Sequence, residues 1–295
     1  MLRKLCLFFL FGWSSVGISN AQLVREFRTP EKTGFELVHL DFSTYKSETT
    51  LKRIKSSEPI NIHGHLAKTN VLPVFSHQIR GNVLETTLVH KNIESENLGK
   101  SIASKLLSSG ESGFDHSWDL GLSSNFLYSL DFNLGMGIAK FDLSVLPIAQ
   151  LKVKSSSADV FIQYSSKDPN QIQMDTLLVI LNMGSLGITN ANFTNAKTMI
   201  FEVNYGSINL DFSEGMPSKC NVIAAVGAGT LNLNLPPDSF PIKLKMNTTA
   251  MCRTSLPKYL KALDANTYVT KGYKSSDPRL LELTVDVGVG SLSVE

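Results

Sequence analysis

Residues 199–210 read MIFEVNYGSINL, and their pattern decides the fold. Apolar residues alternate into Gly206, and the alternation resumes beyond it at Ile208 and Leu210. The same signature returns around Gly137, Ala158, Gly184, Gly206, Gly229 and Gly290. Two residues after each small residue come Ala139, Val160, Leu186, Ile208, Leu231 and Leu292, and four after come Phe141, Ile162, Ile188, Leu210, Leu233 and Val294. Five before stand Phe132, Val153, Val179, Phe201, Ala224 and Val285. The small residues are 21, 26, 22, 23 and 61 positions apart. A repeated strand unit of this length cannot bury its apolar face alone, so the pattern predicts an all-β, β-helix-like stack of rungs.

Two residues before each small residue lie Gly135, Ser156, Asn182, Asn204, Gly227 and Gly288. Glycine and asparagine take positive φ most readily, so a left-handed corner or bulge is expected there. The second small residue is expected to let neighbouring backbones approach closely.

The 61-residue gap holds more than one rung. Ile242, Leu244 and Met246 alternate with Pro241, Lys243 and Lys245, which predicts a strand. An insertion follows near 254–274. There Leu256, Leu260 and Leu263 fall at roughly helical spacing, with Pro257 placed to start a short helix. Insertions in solenoids often form binding loops, so this one is the expected specific contact.

Residues 113–295 are assigned to the repeat domain, with a soft boundary near Ser112. Residues 22–112 are an N-terminal β segment, read as a cap and first rungs. Its strands are expected around Phe35–Phe42, Ile60–Leu66 and Val83–His90. Ile102, Leu106 and Leu107 suggest a short helix or a loop.

Residues 1–21 read as a secretory signal peptide: Arg3 and Lys4, an apolar run from Leu5 to Phe11, and a small cleavage site at Ser19–Ala21. Removing it leaves 26 basic and 26 acidic residues, since two of the 28 basic ones lie within it. That balance argues against a nucleic-acid partner. No later apolar run is long enough for a transmembrane segment in the mature chain. In an exported chain Cys220 and Cys252 either form a disulfide or stand as two separate thiols.

Motifs that carry chemistry are sparse. His63 and His65 would share one side of a strand, as a metal pair does, but no third ligand is placed, and solvent-facing histidines are the expectation. Asp119, Asp131, Asp142, Asp159 and Asp211 sit singly among apolar residues, as solvated side chains do. The paired glycines Gly135–Gly137, Gly227–Gly229 and Gly288–Gly290 run into strand residues, unlike phosphate loops. No cofactor and no metal are expected.

Residues 130–144, 151–160 and 283–294, in which these small and apolar positions recur, resemble bacterial toast-rack proteins. That group includes the C-terminal domain of LiaF-like cell-wall stress proteins, and the resemblance covers about Trp118 to Glu295. It implies a β-rich module at the bacterial envelope that senses or scaffolds, and it supplies no catalytic residues. The membrane spans that precede the module in LiaF-like proteins are missing, and a signal peptide stands in their place.

The resulting expectation is an exported, non-enzymatic envelope module, adhesin-like or envelope-sensing, located in the periplasm or at the cell surface. It would bind a protein or glycan of the envelope, and dimers through the stack ends are plausible because terminal rungs expose edges. The alternative is a polysaccharide-acting enzyme, for which Asp119, Asp142 and Asp159 would have to meet in one groove.

Overall fold

The computed structural model describes residues 23–31, 34–66, 72–90, 114, 116–166 and 168–295. The signal peptide, the segment around Ile102–Leu107 and the boundary at Ser112 lie outside them. The described strands in the N-terminal part are β1 (Leu23–Arg28), β2 (Leu37–Ile54), β3 (Ile60–Leu66), β4 (Val74–Arg80), β5 (Val83–His90) and β6 (His116–Ser123). The repeats follow as β7 (Leu127–Asp142), β8 (Ile148–Gln163), β9 (Met174–Ile188), β10 (Ala196–Asp211) and β11 (Cys220–Asn234). The chain ends with β12 (Ile242–Thr248), β13 (Cys252–Ser255), β14 (Lys261–Ala262), β15 (Thr267–Val269) and β16 (Leu281–Val294). All belong to one mixed sheet.

The long strands pair in parallel, in register, and are folded in the middle. A straight 16-residue strand spans roughly 53 Å, yet residues 212–219, which reach at most about 28 Å, carry the chain from the end of β10 to the start of β11. Each strand must therefore double back into two arms. Burial shows where: Met199, Phe201 and Val203 point inward before Gly206, and Ile208 and Leu210 after it. Inward positions switch from odd to even across the glycine, so both arms face one interior.

The positive φ that makes this corner falls at Gly137, Gly184, Gly206, Gly229 and Gly290, with φ between 125° and 146°. The expected site two residues earlier is extended instead. The close approach does occur at the glycines: a Cβ on Gly206 would stand 1.8 Å from the carbonyl oxygen of Gly184. Ser47, Gly137 and Ala158 continue the same row, and Ala158 lies without positive φ under Gly184. Above the row the arms enclose aligned layers such as Phe42, Phe132, Val153, Val179, Phe201, Ala224 and Val285, all buried.

The N-terminal segment extends the same stack. β2 is a full folded rung paired with β7, and the next layer is split, with β5 on its first arm and β6 on its second. β4 continues β5, and β3 and β1 continue β6, all antiparallel.

At the other end the order is not sequential. The expected extra rung exists as β12 and β13, but β16 lies between it and β11. The short helix expected at Pro257 is absent. Its leucines do not share a face: Leu260 is buried, whereas Leu263 is 57% exposed. An Asp264–Asn266 turn closes the β14–β15 hairpin, which lies antiparallel on β12, so strand pairing overrides the helical spacing.

Candidate binding face

The second arms present a continuous outward row. At the N-terminal end Glu26, His63, Asp119 and Thr50 lie side by side on successive strands. Lys140, Phe161 and Gly187 follow, then Asn209, Asn232 and Ser293. Neighbouring strands stand about 4.8 Å apart, so these ten residues span roughly 43 Å.

His63 and His65 do share the outer side of β3, yet each faces a carboxylate. His63 Nε2 is 3.4 Å from Glu26, and His65 Nε2 is 3.8 Å from Asp119. No group of three or more metal-ligating side chains occurs among the described residues. Hydrogen bonding to Arg28, against some desolvation, holds the Glu26 carboxyl below the ordinary carboxylate range.

The carboxylates of the enzymatic alternative are separated. Strand spacing and register put the Cα atoms of Asp119, Asp142 and Asp159 roughly 12–16 Å from one another. Each is engaged within the stack. Asp119 accepts from Thr50 Oγ1 at 2.6 Å, Asp159 from the Ser185 amide at 2.9 Å, and Asp142 from the Ser144 amide at 3.1 Å. Asp131 stands between Asp41 and Lys152, and Asp211 accepts from Asn234 Nδ2 at 2.9 Å.

Shallow depressions mark the described outer surface, among them two on the arms. One, of about 430 Å³, crosses the second arms of β9, β10, β11 and β16, with Gly187, Asn209 and Asn232 in its lining and Asp211, Asn234 and Glu295 along one side. The other, of about 750 Å³, lies on the first arms between Tyr45, Gly135, Lys154 and Asn182.

Three features escaped sequence reasoning. From β9 onward the residue just before the corner points out from the apex, which places Met183, Tyr205 (64% exposed), Ala228 and Val289 along one ridge, continued by Met251. On the first arms Leu178, Ile200 and Ile223 align as an outward apolar row. On the second, Phe161 meets Gly187. The first was within reach of reading the residue before each repeated glycine as a column, and the second of reading the sixth residue before it; the third needed the register.

The repeated residues Gly137, Ala158, Gly184, Gly206, Gly229 and Gly290 build the corner and line neither depression on the arms, though Gly290 lines a further one at the corner with Met251, Cys252 and Arg253. Cys220 and Cys252 are free thiols. They pair with Leu281 and Gly290 from opposite sides of β16, so at least two strand spacings, about 9–10 Å, part them, beyond the span of a disulfide. The insertion at 254–274 does not project as a loop. It packs on the stack end, where Thr270 Oγ1 holds the Phe240 carbonyl and the Ile242 amide, and Thr267 and Thr270 are buried. No helix among the described residues is long and apolar enough to cross a membrane.

No family model matches the chain, and no curated protein is similar to it. Among solved structures it is similar to a candidate cell adhesion protein from Clostridium sporogenes, at 13% identity and a TM-score of 0.47, covering 93% of this chain and 99% of that one. A candidate adhesin from Bacteroides fragilis gives 10% identity and a TM-score of 0.37, over 94% and 98% of the two chains.

Proposed function

We propose that this chain is an exported, non-enzymatic module of the bacterial envelope, adhesin-like and related to the toast-rack proteins, that holds a protein or glycan against its outer surface. The observation that carries this reading is the outward row that crosses neighbouring strands from Glu26 to Ser293, broken only at Gly187 and bordered by shallow depressions. A flat, repetitive face suits the capture of an extended surface; hydrolysis of a polymer needs two carboxylates converging on one bond. The engagement of Asp119 by Thr50, Asp142 by Ser165 and Asp159 by Ser185, each from a neighbouring rung, supports the same side.

Crosslinking in intact cells, followed by mass spectrometry, tests it. Envelope proteins or glycans joined to outward residues of the second arms are expected. Recovery of cytoplasmic partners alone, or turnover of a polysaccharide by the purified chain, overturns it.

A further inference from the structure

The depression across β9, β10, β11 and β16 has an amide ladder and no Lys, Arg or His in its lining, and an aromatic ring stands one strand beyond it, beside Gly187. Gly187 interrupts the row of side chains, and a Cβ placed there would stand 3.2 Å from Phe161 Cδ1, so the ring leans across the glycine. That ring is 46% exposed on β8, one strand outside the residues that line the groove and next to Gly187, which does line it. Beyond the glycine, Asn232 Nδ2 donates to Asn209 Oδ1 at 2.7 Å, and Asn234 Nδ2 donates to Asp211 Oδ1 at 2.9 Å. The ladder uses one donor and one acceptor per amide pair. Asn209 Nδ2, Asn232 Oδ1 and Asp211 Oδ2 keep their remaining capacity for a ligand.

We propose that this groove binds a neutral glycan laid along the stack axis; the proposal rests on the adhesin-like reading above and names the ligand class for it. Hydroxyl groups both donate and accept, so they match a strip that offers amide donors beside amide and carboxylate acceptors. The phenyl ring supplies the apolar contact that the C–H face of a pyranose requires. Asp211 and Glu295 line the groove and no Lys, Arg or His does, which disfavours phosphate, sulfate or uronate polymers. The rung spacing, about 4.8 Å, is close to the length of one sugar unit in an extended β-linked chain, so successive units meet successive rungs. A peptide adding as a strand would need an open sheet edge, and this groove lies on a face.

Glycine beside an aromatic ring and paired asparagines also stabilise a sheet, so the test separates binding from folding. The full chain is titrated with neutral hexasaccharides of β-1,4-glucan, β-1,4-mannan and chitin type, with polygalacturonate as the anionic comparison. At least one neutral hexasaccharide binds. Phe161→Leu, which keeps apolar cover over Gly187, weakens it roughly tenfold with an unchanged melting temperature. Phe161→Trp retains binding, and Ile223→Ser on the opposite face leaves it unaltered. No neutral ligand, equal binding by Phe161→Leu, or preference for polygalacturonate overturns the proposal. In that event envelope crosslinks at the second arms leave the adhesin-like reading standing, and their absence removes both.

Discussion

Gly229 lies directly over Gly206, and a Cβ on Gly229 would sit 1.7 Å from the Gly206 carbonyl oxygen. Its φ of 146° is strained for any L side chain as well. Gly229→Ala therefore meets two penalties at once and should destabilise the chain by about 2–4 kcal/mol, read from urea unfolding. Ala158 occupies the equivalent place without positive φ. Ala158→Gly should cost no more than about 1 kcal/mol, the usual entropy of glycine in a strand. Equal effects at the two sites would remove the corner from its structural role.

β16 is the last strand in the chain but the penultimate rung in space. It pairs with β11 along one side and with β12 and β13 along the other. Removing residues 281–295 would leave β11 and β12 with unpaired inner edges and uncover their buried partners Val222, Ala224, Val226, Leu244 and Met246. The truncated chain should lose cooperative unfolding at its C-terminal end. A synthetic peptide of residues 281–295 added in trans should restore it, because it carries the strand edges, the apolar side chains and the Glu282 partner of Lys243 that the site needs. Thermal unfolding followed by circular dichroism, with and without peptide, is the measurement; a truncation that melts like the full chain would contradict the topology.

The repeat was legible because each inward residue is apolar and each corner small, and steric demand leaves few other choices there. The rung hidden in the long gap was legible for the same reason, from Ile242, Leu244 and Met246. Rung order was not, since β12 and β16 satisfy the same pattern and only three-dimensional pairing says which lies outside. The residue carrying the corner was misplaced by two positions. Glycine or asparagine recurs at both places, and what separates them is the approach of a carbonyl from the rung beneath. Phe161 and Gly187 are each ordinary residues on their own strands. They meet only because β8 and β9 run in register, so the candidate groove was out of reach of a single sequence.

Cys220 is buried, and desolvation pushes its thiol up to about 12. Cys252 stands half-buried on β13. Iodoacetamide applied to the native chain should label Cys252 and spare Cys220, as counted on separate peptides by mass spectrometry. Raising the pH to about 9 should leave Cys220 protected, and denaturant should expose both. A disulfide-linked peptide pair from untreated protein would overturn the separation of the two thiols.

Asp142 links two rungs. Burial opposes its charge, but hydrogen bonds from Ser144 and Ser165 outweigh that and hold its carboxyl below the usual range. A carboxyl that is lower in the folded state stabilises it fully above its unfolded value, near 4, and ceases to do so as pH falls through the folded value. Asp142→Asn should therefore cost about 1 kcal/mol at neutral pH, a figure kept small by its exposure. The difference from the unaltered chain should shrink below about pH 4. Urea midpoints measured across that range decide it: a gap that stays constant would show that charge plays no part.

Gly64 pairs with Trp118 between β3 and β6, and a Cβ on it would stand 2.6 Å from Cζ3 of the indole. Trp118 is fully buried and packs edge-on against Phe42 at 5.6 Å, so it has little room to yield. Gly64→Ala should force the ring aside at a cost of about 1–3 kcal/mol, the usual range for overpacking. Displacement toward solvent should shift its fluorescence to the red. The other tryptophan, Trp13, is unchanged by the substitution, so the difference spectrum belongs to Trp118. An unaltered spectrum together with an unaltered melting temperature would mean that β3 does not press its glycine against the indole, and that the N-terminal layer is packed in some other way.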